Sequence, residues 1–135
     1  MPIPIQDGLC PLLQVFDMPT ALRFYRDMLG FSIHQASKPR SEDDHDWVWL
    51  KLDGADLMLN TAYEFDGRPP APDPARVAAH NDTCLYFGCP DIDEAWRYLD
   101  ERGLRLDPPK VAPYGMKQLY LHDPDGYNLC LQWSA

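Results

Sequence analysis

The chain has 135 residues, of which 45% are apolar, so it is long enough to bury a core of its own. A formal net charge of −9 at pH 7 argues against binding to nucleic acid or to anionic membrane surfaces. No apolar run approaches the ~20 residues of a membrane-spanning helix, and the N-terminus lacks the basic and apolar regions of a signal peptide. The four cysteines contain no Cys-x-x-Cys pair, which predicts reduced thiols in a cytoplasmic protein.

The first half of the chain predicts a strand, a helix and three further strands. In chain order these are a strand at 9–16, a helix from Pro19 to Gly30, a strand at 31–35, an exposed polar loop at 36–46, and strands at 47–52 and 55–62. Pro11 should lie at an edge or at the start of its strand because it cannot donate a hydrogen bond. The Asp-Gly pair at 53–54 predicts the turn between the last two strands.

The second half predicts the same order after a linker. Residues 63–80 carry four prolines and are predicted to form an extended linker. A strand at 83–89, a helix at 90–102, a short strand at 104–106 and strands at 118–121 and 129–133 follow. The Asp-Pro-Asp-Gly sequence at 123–126 predicts a tight turn between the last two strands.

The two halves are an internal repeat. A shift of 74 positions aligns Cys10 with Cys84, and a shift of 72 aligns Asp53-Gly54 with Asp125-Gly126. We therefore predict an α+β fold of two βαβββ modules in tandem, 9–62 and 81–135, after a lead-in at 1–8. Each module covers one sheet face with its helix, so the two open faces are predicted to form a shared, curved cleft in one compact domain.

Three features of the chain resemble the vicinal oxygen chelate superfamily, which includes glyoxalase I, extradiol dioxygenases and the bleomycin-resistance proteins. They are the βαβββ repeat, the Phe-Tyr-Arg-Asp-Met-Leu-Gly-Phe stretch at 24–31 and the Asp-Pro-Asp-Gly-Tyr stretch at 123–127. The resemblance extends from about 9 to 133, and residues 113–126 are most similar to the bleomycin-resistance-like branch. This resemblance implies a homodimer whose pockets form between the chains.

Metal-using members of that superfamily place His or Glu at four cleft positions. The resemblance matches these positions with Cys10, Met58, Cys84 and Cys130. Catalysis of the familiar kind needs a divalent metal held by imidazole and carboxylate, so no metal or other cofactor is predicted. The same sulfur atoms could alternatively hold a soft ion such as Cu(I) or Zn(II), serve as redox-active thiols, or fill the cavity floor as small hydrophobes.

The histidines, at positions 34, 45, 80 and 122, do not fall at the metal positions. His45 in the acidic loop and His80 in the linker are predicted to be solvated, and His122 to line the cleft alone as a structural residue. No catalytic residue is therefore predicted.

Aromatic and amide side chains on the cleft-facing phase of the strands are the predicted ligand-binding residues. They are Gln14, Phe16, Trp47, Trp49, Asn60, Tyr86, Gln118, Tyr120, Asn128 and Gln132. Aromatic walls with scattered amides suit planar ligands through stacking and hydrogen bonds. The rim is predicted to carry acidic residues that would attract a cation: Glu42, Asp43, Asp44, Asp46, Glu64 and Asp66.

These features predict a bleomycin-resistance-like protein that sequesters a planar or cationic small molecule without a metal. One alternative is a metal-dependent enzyme of the glyoxalase or dioxygenase type with atypical Cys and Met ligands, for which metal retained through purification would be the evidence. Another is an interaction or sensor module, which would have an empty, water-filled cleft and no affinity for planar cations.

Overall fold

The computed structural model describes residues 1–63 and 67–135. In chain order the elements are β1 (Leu12–Val15), α1 (Met18–Leu22), β2 (Ser32–Ala36), β3 (Trp47–Leu52), β4 (Ala55–Thr61), α2 (Pro74–His80), β5 (Cys84–Gly88), α3 (Ile92–Glu101), β6 (Lys110–Val111), β7 (Met116–His122) and β8 (Asn128–Ser134). A π-helical segment, Arg23–Met28, continues α1. Within the described ranges, no helix has the length and apolar character needed to cross a membrane.

The strands form two four-stranded sheets of the same construction. Their strand orders are β1-β4-β3-β2 and β5-β8-β7-β6. In each sheet the first strand of the module pairs in parallel with the last strand, and the remaining pairs are antiparallel. The identical order confirms the two tandem βαβββ modules that the repeat predicts.

Aspartate side chains start the helix of each module. Asp17 caps α1, where its Oδ2 accepts hydrogen bonds from the backbone N–H and the hydroxyl of Thr20 at 3.1 and 2.6 Å. Asp91 caps α3 in the same way, with Oδ1 3.0 Å from the backbone nitrogen of Glu94. These caps set the helix starts by satisfying backbone donors that have no partner inside the helix.

One continuous core joins the helix-facing sides of the two sheets. Leu13 and Val15 of the first strand are buried, as the predicted strand phase requires. The same phase buries alternate residues of the later strands: Val48, Leu50, Leu57, Leu59, Leu119, Leu121 and Leu129. Phe31 of the first module meets Phe87 of the second edge to face, with ring centroids 6.2 Å apart. Because both sheets bury this side, the open faces are left for other contacts.

The linker differs from its predicted extended form. Residues 74–80 are the helix α2, which begins with Pro74 after the N-cap Asp73, whose Oδ1 accepts from the backbone N–H of Ala75 at 3.0 Å. An Asp-Pro pair is strong helix-start chemistry, and the four prolines of the segment obscured it. Arg68 anchors another part of the linker through ion pairs of 2.6 Å to Asp17 and 3.0 Å to Asp44. Linker residues 64–66 lie outside the described residues.

The short strand predicted at 104–106 is also wrong. The edge strand of the second sheet is β6, where Lys110 and Val111 pair with Gln118 and Lys117. Leu106 instead accepts a hydrogen bond from the indole N–H of Trp96 at 3.1 Å. A three-residue alternation is too short to distinguish a strand from a loop that packs two leucines on a core.

The turn at 123–127 connects the second module to the first. The Tyr25 hydroxyl donates to Asp123 Oδ2 at 2.6 Å, and the Phe16 backbone N–H donates to Asp125 Oδ1 at 2.7 Å. Asp123 Oδ1 also accepts from the backbone N–H groups of Asp125 and Tyr127, both at 2.9 Å. Burial raises the pKa of Asp125 to about 6 and raises that of Asp123. The turn is therefore a buried polar junction between the modules.

His80 belongs to this junction, so the prediction that it is solvated is wrong. Its ring stacks on Tyr127 with centroids 3.9 Å apart and planes 9° from parallel. Its Nδ1 lies 2.7 Å from the carbonyl oxygen of Asp125. The helix α2 carries His80 to this position, which a reading of the linker as extended could not anticipate.

Candidate functional site

The open face of the first sheet carries two rows of predicted site residues. Parallel pairing places Gln14 beside Asn60, and antiparallel pairing places Asn60 beside Trp47. The next row contains Met58 beside Trp49. The Asn60 amide nitrogen lies 3.4 Å from Gln14 Oε1. Strand register thus brings together four predicted ligand-binding residues, Gln14, Trp47, Trp49 and Asn60.

Trp49 is held in place by polar neighbours that the sequence analysis did not single out. Its indole N–H donates to Asp56 Oδ1 at 2.8 Å, and Lys51 forms an ion pair with the same oxygen at 3.2 Å. The hydrogen bond from Trp49, more than the Lys51 charge, lowers the pKa of Asp56. The His34 ring meets the indole edge to face at 4.9 Å. With its N–H occupied, Trp49 offers a ligand only its ring.

The open face of the second sheet carries a chain of hydrogen bonds. Tyr86 and Tyr120 both lie beside Cys130 in the strand register, and their hydroxyl oxygens are 3.2 Å apart. The Tyr120 hydroxyl also donates to Gln118 Oε1 at 3.3 Å, and Gln118 Nε2 donates to Gln132 Oε1 at 3.0 Å. The two tyrosines are 53% and 50% exposed, so half of each side chain remains open to a ligand.

Tyr114 extends this chain and was not predicted. Its hydroxyl accepts the second hydrogen bond from Gln118 Nε2, at 2.9 Å, and its side chain is 68% exposed. It lies in the turn that precedes β7, where no strand alternation indicates which way a side chain faces. The Pro-Tyr-Gly sequence at 113–115 was the available signal, because it predicts an exposed turn.

Two of the predicted ligand-binding residues lie away from these groups. Phe16 follows β1 and meets Tyr63 edge to face at 5.9 Å, beside the junction formed by Asp125. The Asn128 amide donates to the backbone oxygen of Asn81 at 2.7 Å. His122, predicted to line the cleft, also lies at this end of the sheet, with Nε2 3.4 Å from Asn81 Oδ1. These side chains serve loop and module contacts in the structure.

The four sulfur positions separate into two pairs on different sheets. Cys10 precedes β1 near Met58, whose backbone N–H donates to the carbonyl of Pro11 at 2.8 Å. Cys84 and Cys130 are diagonal neighbours on β5 and β8. Burial raises the pKa of the Cys10, Cys84 and Cys130 thiols, so they are protonated at neutral pH. Within residues 1–63 and 67–135, no three His, Cys, Asp or Glu side chains are grouped to hold a metal ion, and these donors do not fit one.

The acidic loop is paired with arginines. Asp43 lies 2.8 Å from Arg26, whose hydrogen bond lowers the pKa of that carboxyl. Asp46 lies 2.6 Å from Arg40, and Asp44 contacts both Arg40 and Arg68. Glu64 and Asp66, also predicted for the rim, lie outside the described residues. The paired carboxylates attract a cationic ligand less strongly than free ones would.

The hydrogen bonds that join predicted ligand-binding residues to one another stay within one sheet. Gln14 and Asn60 contact each other on the first sheet, and Tyr86, Tyr120, Gln118 and Gln132 form their chain on the second. Contacts between the modules run instead through the core and the 123–127 turn. Among the described residues, the predicted ligand-binding side chains that contact one another therefore form two groups, one on each open face.

Comparisons with known proteins agree with the fold. TnmS3, an antibiotic binding protein from Streptomyces sp. CB03234, matches with a TM-score of 0.69 and 25% identity, covering 98% of this chain and 99% of that one. TioX from Micromonospora sp. ML1 matches with a TM-score of 0.72 over 94% of this chain and 98% of that one. At 16% identity, TioX is a likeness of fold alone.

Sequence comparisons establish the family. The uncharacterized protein YaeR of Escherichia coli (strain K12) is 31% identical over 117 residues, which are 84% of each chain. A family model described as the Glyoxalase/Bleomycin resistance protein/Dioxygenase superfamily matches residues 9–131. Together with the two βαβββ modules, these matches confirm the resemblance drawn from the repeat and the 123–127 turn. The chain belongs to the glyoxalase/bleomycin resistance protein/dioxygenase superfamily.

Proposed function

We propose that the protein binds a planar small molecule against the aromatic open faces of its sheets and sequesters it without a metal and without chemical conversion. The observation that carries this proposal is the half-exposed pair Tyr86 and Tyr120, which is fixed by hydrogen bonds to each other and to Gln118. Exposed aromatic rings that are held in one orientation form a stacking platform at low cost in side-chain entropy.

The donor chemistry favours binding over metal-dependent catalysis. Cys10, Met58, Cys84 and Cys130 stand where metal-using relatives are expected to carry His or Glu, and their thiols are protonated at neutral pH. A divalent metal would have to displace the protons of these thiols, and these positions carry no imidazole or carboxylate, the ligands that metal-dependent catalysis of the familiar kind needs. TnmS3, described as an antibiotic binding protein, supports a binding role in a related chain.

The planar shape of the ligand, more than a positive charge, is the feature that we propose the site recognises. The carboxylates of Asp43, Asp44 and Asp46 are already paired with arginines. Tyr86 and Tyr120, by contrast, are half exposed on the open face of the second sheet. The four cysteines are free thiols, which fits the cytoplasmic location that we propose.

Two measurements on one preparation test the binding function. Elemental analysis of protein purified with a reductant, and without chelator or metal-affinity resin, is expected to find no stoichiometric metal. Titration of tryptophan fluorescence with planar aromatic compounds, both neutral tricyclic compounds and N-methylacridinium, is expected to show saturable binding. Replacing Tyr120 with leucine should weaken that binding by about three- to tenfold, because an aromatic stacking contact is lost.

Val111→Ala is the control for this titration, because Val111 is an exposed apolar residue on the edge strand β6 and does not line the cavity beside β5. Its loss should leave affinity unchanged. Stoichiometric zinc, copper, iron, nickel or manganese would contradict sequestration and would favour an enzyme with atypical sulfur ligands. If none of the planar compounds shows saturable binding, the proposed binding function is wrong.

We also propose that the protein is a homodimer, in which the group of residues on the open face of one chain's first sheet combines with the group on the partner chain's second sheet to form one binding site. Strands β1 and β5 are edges of their sheets, and such edges leave backbone groups free to pair. A cavity of about 910 Å³ opens beside β5 and is lined by apolar side chains that include Leu52, Phe87 and Leu99. A second chain that covers this opening would bury apolar surface that one chain leaves accessible.

Sedimentation equilibrium tests the dimer. The protein is expected to sediment with the mass of two chains at micromolar concentration. Replacing Leu12 on the β1 edge with lysine should weaken the dimer by about tenfold or more, since an apolar contact is exchanged for a charge. Val111→Lys, on the opposite edge strand β6 of the other sheet, is the control and should have no effect. A wild-type monomer would contradict the proposal.

A further inference from the structure

The hydrogen-bond chain on the second open face runs in one direction. Tyr120 donates its hydroxyl hydrogen to Gln118 Oε1, so the contact with Tyr86 uses the Tyr86 hydrogen. Gln118 Nε2 then donates one hydrogen to Gln132 Oε1 and the other to the Tyr114 hydroxyl. Each acceptor therefore receives its hydrogen from the residue before it, in the direction that runs from Tyr86 to Gln132 and Tyr114.

The far end of this chain keeps donors that the chain itself does not use. Gln132 uses its carbonyl oxygen as an acceptor, and Tyr114 uses its hydroxyl oxygen. Among the described residues, the hydrogen bonds of Gln132 and Tyr114 use neither the Gln132 amide nitrogen nor the Tyr114 hydroxyl hydrogen. An amide nitrogen carries two hydrogens and a phenol carries one, so three donor positions remain.

These donors lie at the edge of the aromatic platform. Gln132 lies directly opposite Gln118 in the β7–β8 register, and Tyr120 lies two residues along β7 on the same face. A flat ring on Tyr86 and Tyr120 would point one edge toward Gln132. Hydrogen bonding with Tyr86 and burial raise the pKa of Tyr120, so its phenol is protonated at neutral pH and has a hydrogen to donate to Gln118.

We propose that this edge selects planar aromatic ligands that carry a ring carbonyl oxygen, which would accept hydrogen bonds from Gln132 Nε2 and the Tyr114 hydroxyl. The inference deepens the proposed binding function and rests on it. A ligand without an acceptor at that edge would remove water from Gln132 and Tyr114 and leave their donors unpaired. A ligand that presents an N–H there would meet only the second lone pairs of Gln132 Oε1 and the Tyr114 oxygen, which already accept from Gln118, and would leave the free donors unpaired.

Three tricyclic compounds of the same shape test the proposal on the full-length protein in its native assembly. Fluorenone has a ring carbonyl, carbazole has a ring N–H, and fluorene has neither. Fluorescence titration should show fluorenone binding about tenfold more tightly than fluorene, with carbazole no better than fluorene. N-methylacridinium reports on planar binding in general.

Variants locate the selectivity. Gln132→Leu should reduce the preference for fluorenone over fluorene to about twofold or less while fluorene affinity is kept. Tyr114→Phe should reduce the preference by about threefold, because one donor is lost. Tyr98→Phe removes the hydroxyl of a tyrosine on α3 and should change nothing. The measured quantity is the ratio of two affinities on the same protein sample. Partial unfolding of a variant lowers both affinities equally and leaves this ratio unchanged.

The outcomes separate this inference from the function on which it rests. Equal affinity for the three tricyclic compounds, or a preference that survives Gln132→Leu, overturns the carbonyl selectivity and leaves planar binding intact. Tighter binding of carbazole overturns it as well, since the free end of the chain would then present acceptors. Failure of all three compounds and of N-methylacridinium to bind overturns the proposed function itself.

Discussion

Replacing Gly126 with alanine is expected to lower the free energy of unfolding by about 3 kcal/mol or more and the Tm by about 10 °C. Gly126 has a φ of +89°, where an L side chain is strained. A Cβ at this position would also lie within 2.9 Å of Val77 Cγ1 and against the Val77 carbonyl oxygen, far inside van der Waals contact. The substitution therefore pushes α2 away from the 123–127 turn. Thermal and urea denaturation followed by circular dichroism measure the loss.

Gly103→Ala is a matched control for this effect. Gly103 has nearly the same φ, +90°, but no atom lies within 4 Å of the position of its Cβ. Its replacement should cost only the backbone strain, about 1–2 kcal/mol. The difference between the two variants isolates the close packing of α2 on the turn. Equal losses for both variants would contradict that packing.

Removing the Tyr25 hydroxyl is expected to destabilise the protein by about 2–3 kcal/mol, although the ring itself stays in place. The hydroxyl donates to Asp123 Oδ2 at 2.6 Å, and both side chains are buried. In Tyr25→Phe this carboxylate oxygen loses its donor, since the hydrogen bonds from Asp125 and Tyr127 go to Oδ1. Burial already raises the pKa of Asp123, and the loss of the hydroxyl should raise it further. Urea denaturation at neutral pH measures the change in stability.

A double-mutant cycle with Asp123→Asn assigns the loss to this contact. If the hydroxyl acts through Asp123, the two substitutions together should cost clearly less than the sum of their separate effects, with a coupling of about 1–3 kcal/mol. Tyr98→Phe, on a partly exposed tyrosine, should change stability by less than about 0.5 kcal/mol. Additive losses in the cycle would show that Tyr25 contributes through packing alone.

Patterns among residues that are close in sequence predicted which face of each strand is buried. The alternation of Val48 with Trp49 and of Leu119 with Tyr120 indicated which face of each strand is buried, and the burial of Val48 and Leu119 confirms it. Such a pattern is readable because successive side chains of a strand point to opposite faces whatever the rest of the fold does. The Asp-Pro pair at 73–74 is also a local signal, since it is typical of a helix start, but the prolines before it favoured an extended segment.

The contacts that each site residue makes could not be predicted from the sequence in the same way. Trp49 was predicted for the open face, but its contacts with His34 and Asp56 depend on the register of three strands. Tyr114 lies in a turn, where no periodicity sets the direction of a side chain. His80 lies far along the chain from Asp125, the residue that it contacts through the backbone oxygen.

The sequence by itself determined the repeat, the order of elements within each module, the buried face of the main strands and the family, because each of these depends on local periodicity or on a motif. Only the tertiary structure decided which distant groups meet. Tyr25 and Asp123 are 98 positions apart and touch because one core joins both modules. The two-sheet architecture also places Met58 in the first sheet, with Cys10 just before its strand β1, and Cys84 and Cys130 in the second sheet. Contacts of this kind depend on how the modules pack together, which no local pattern in the chain records.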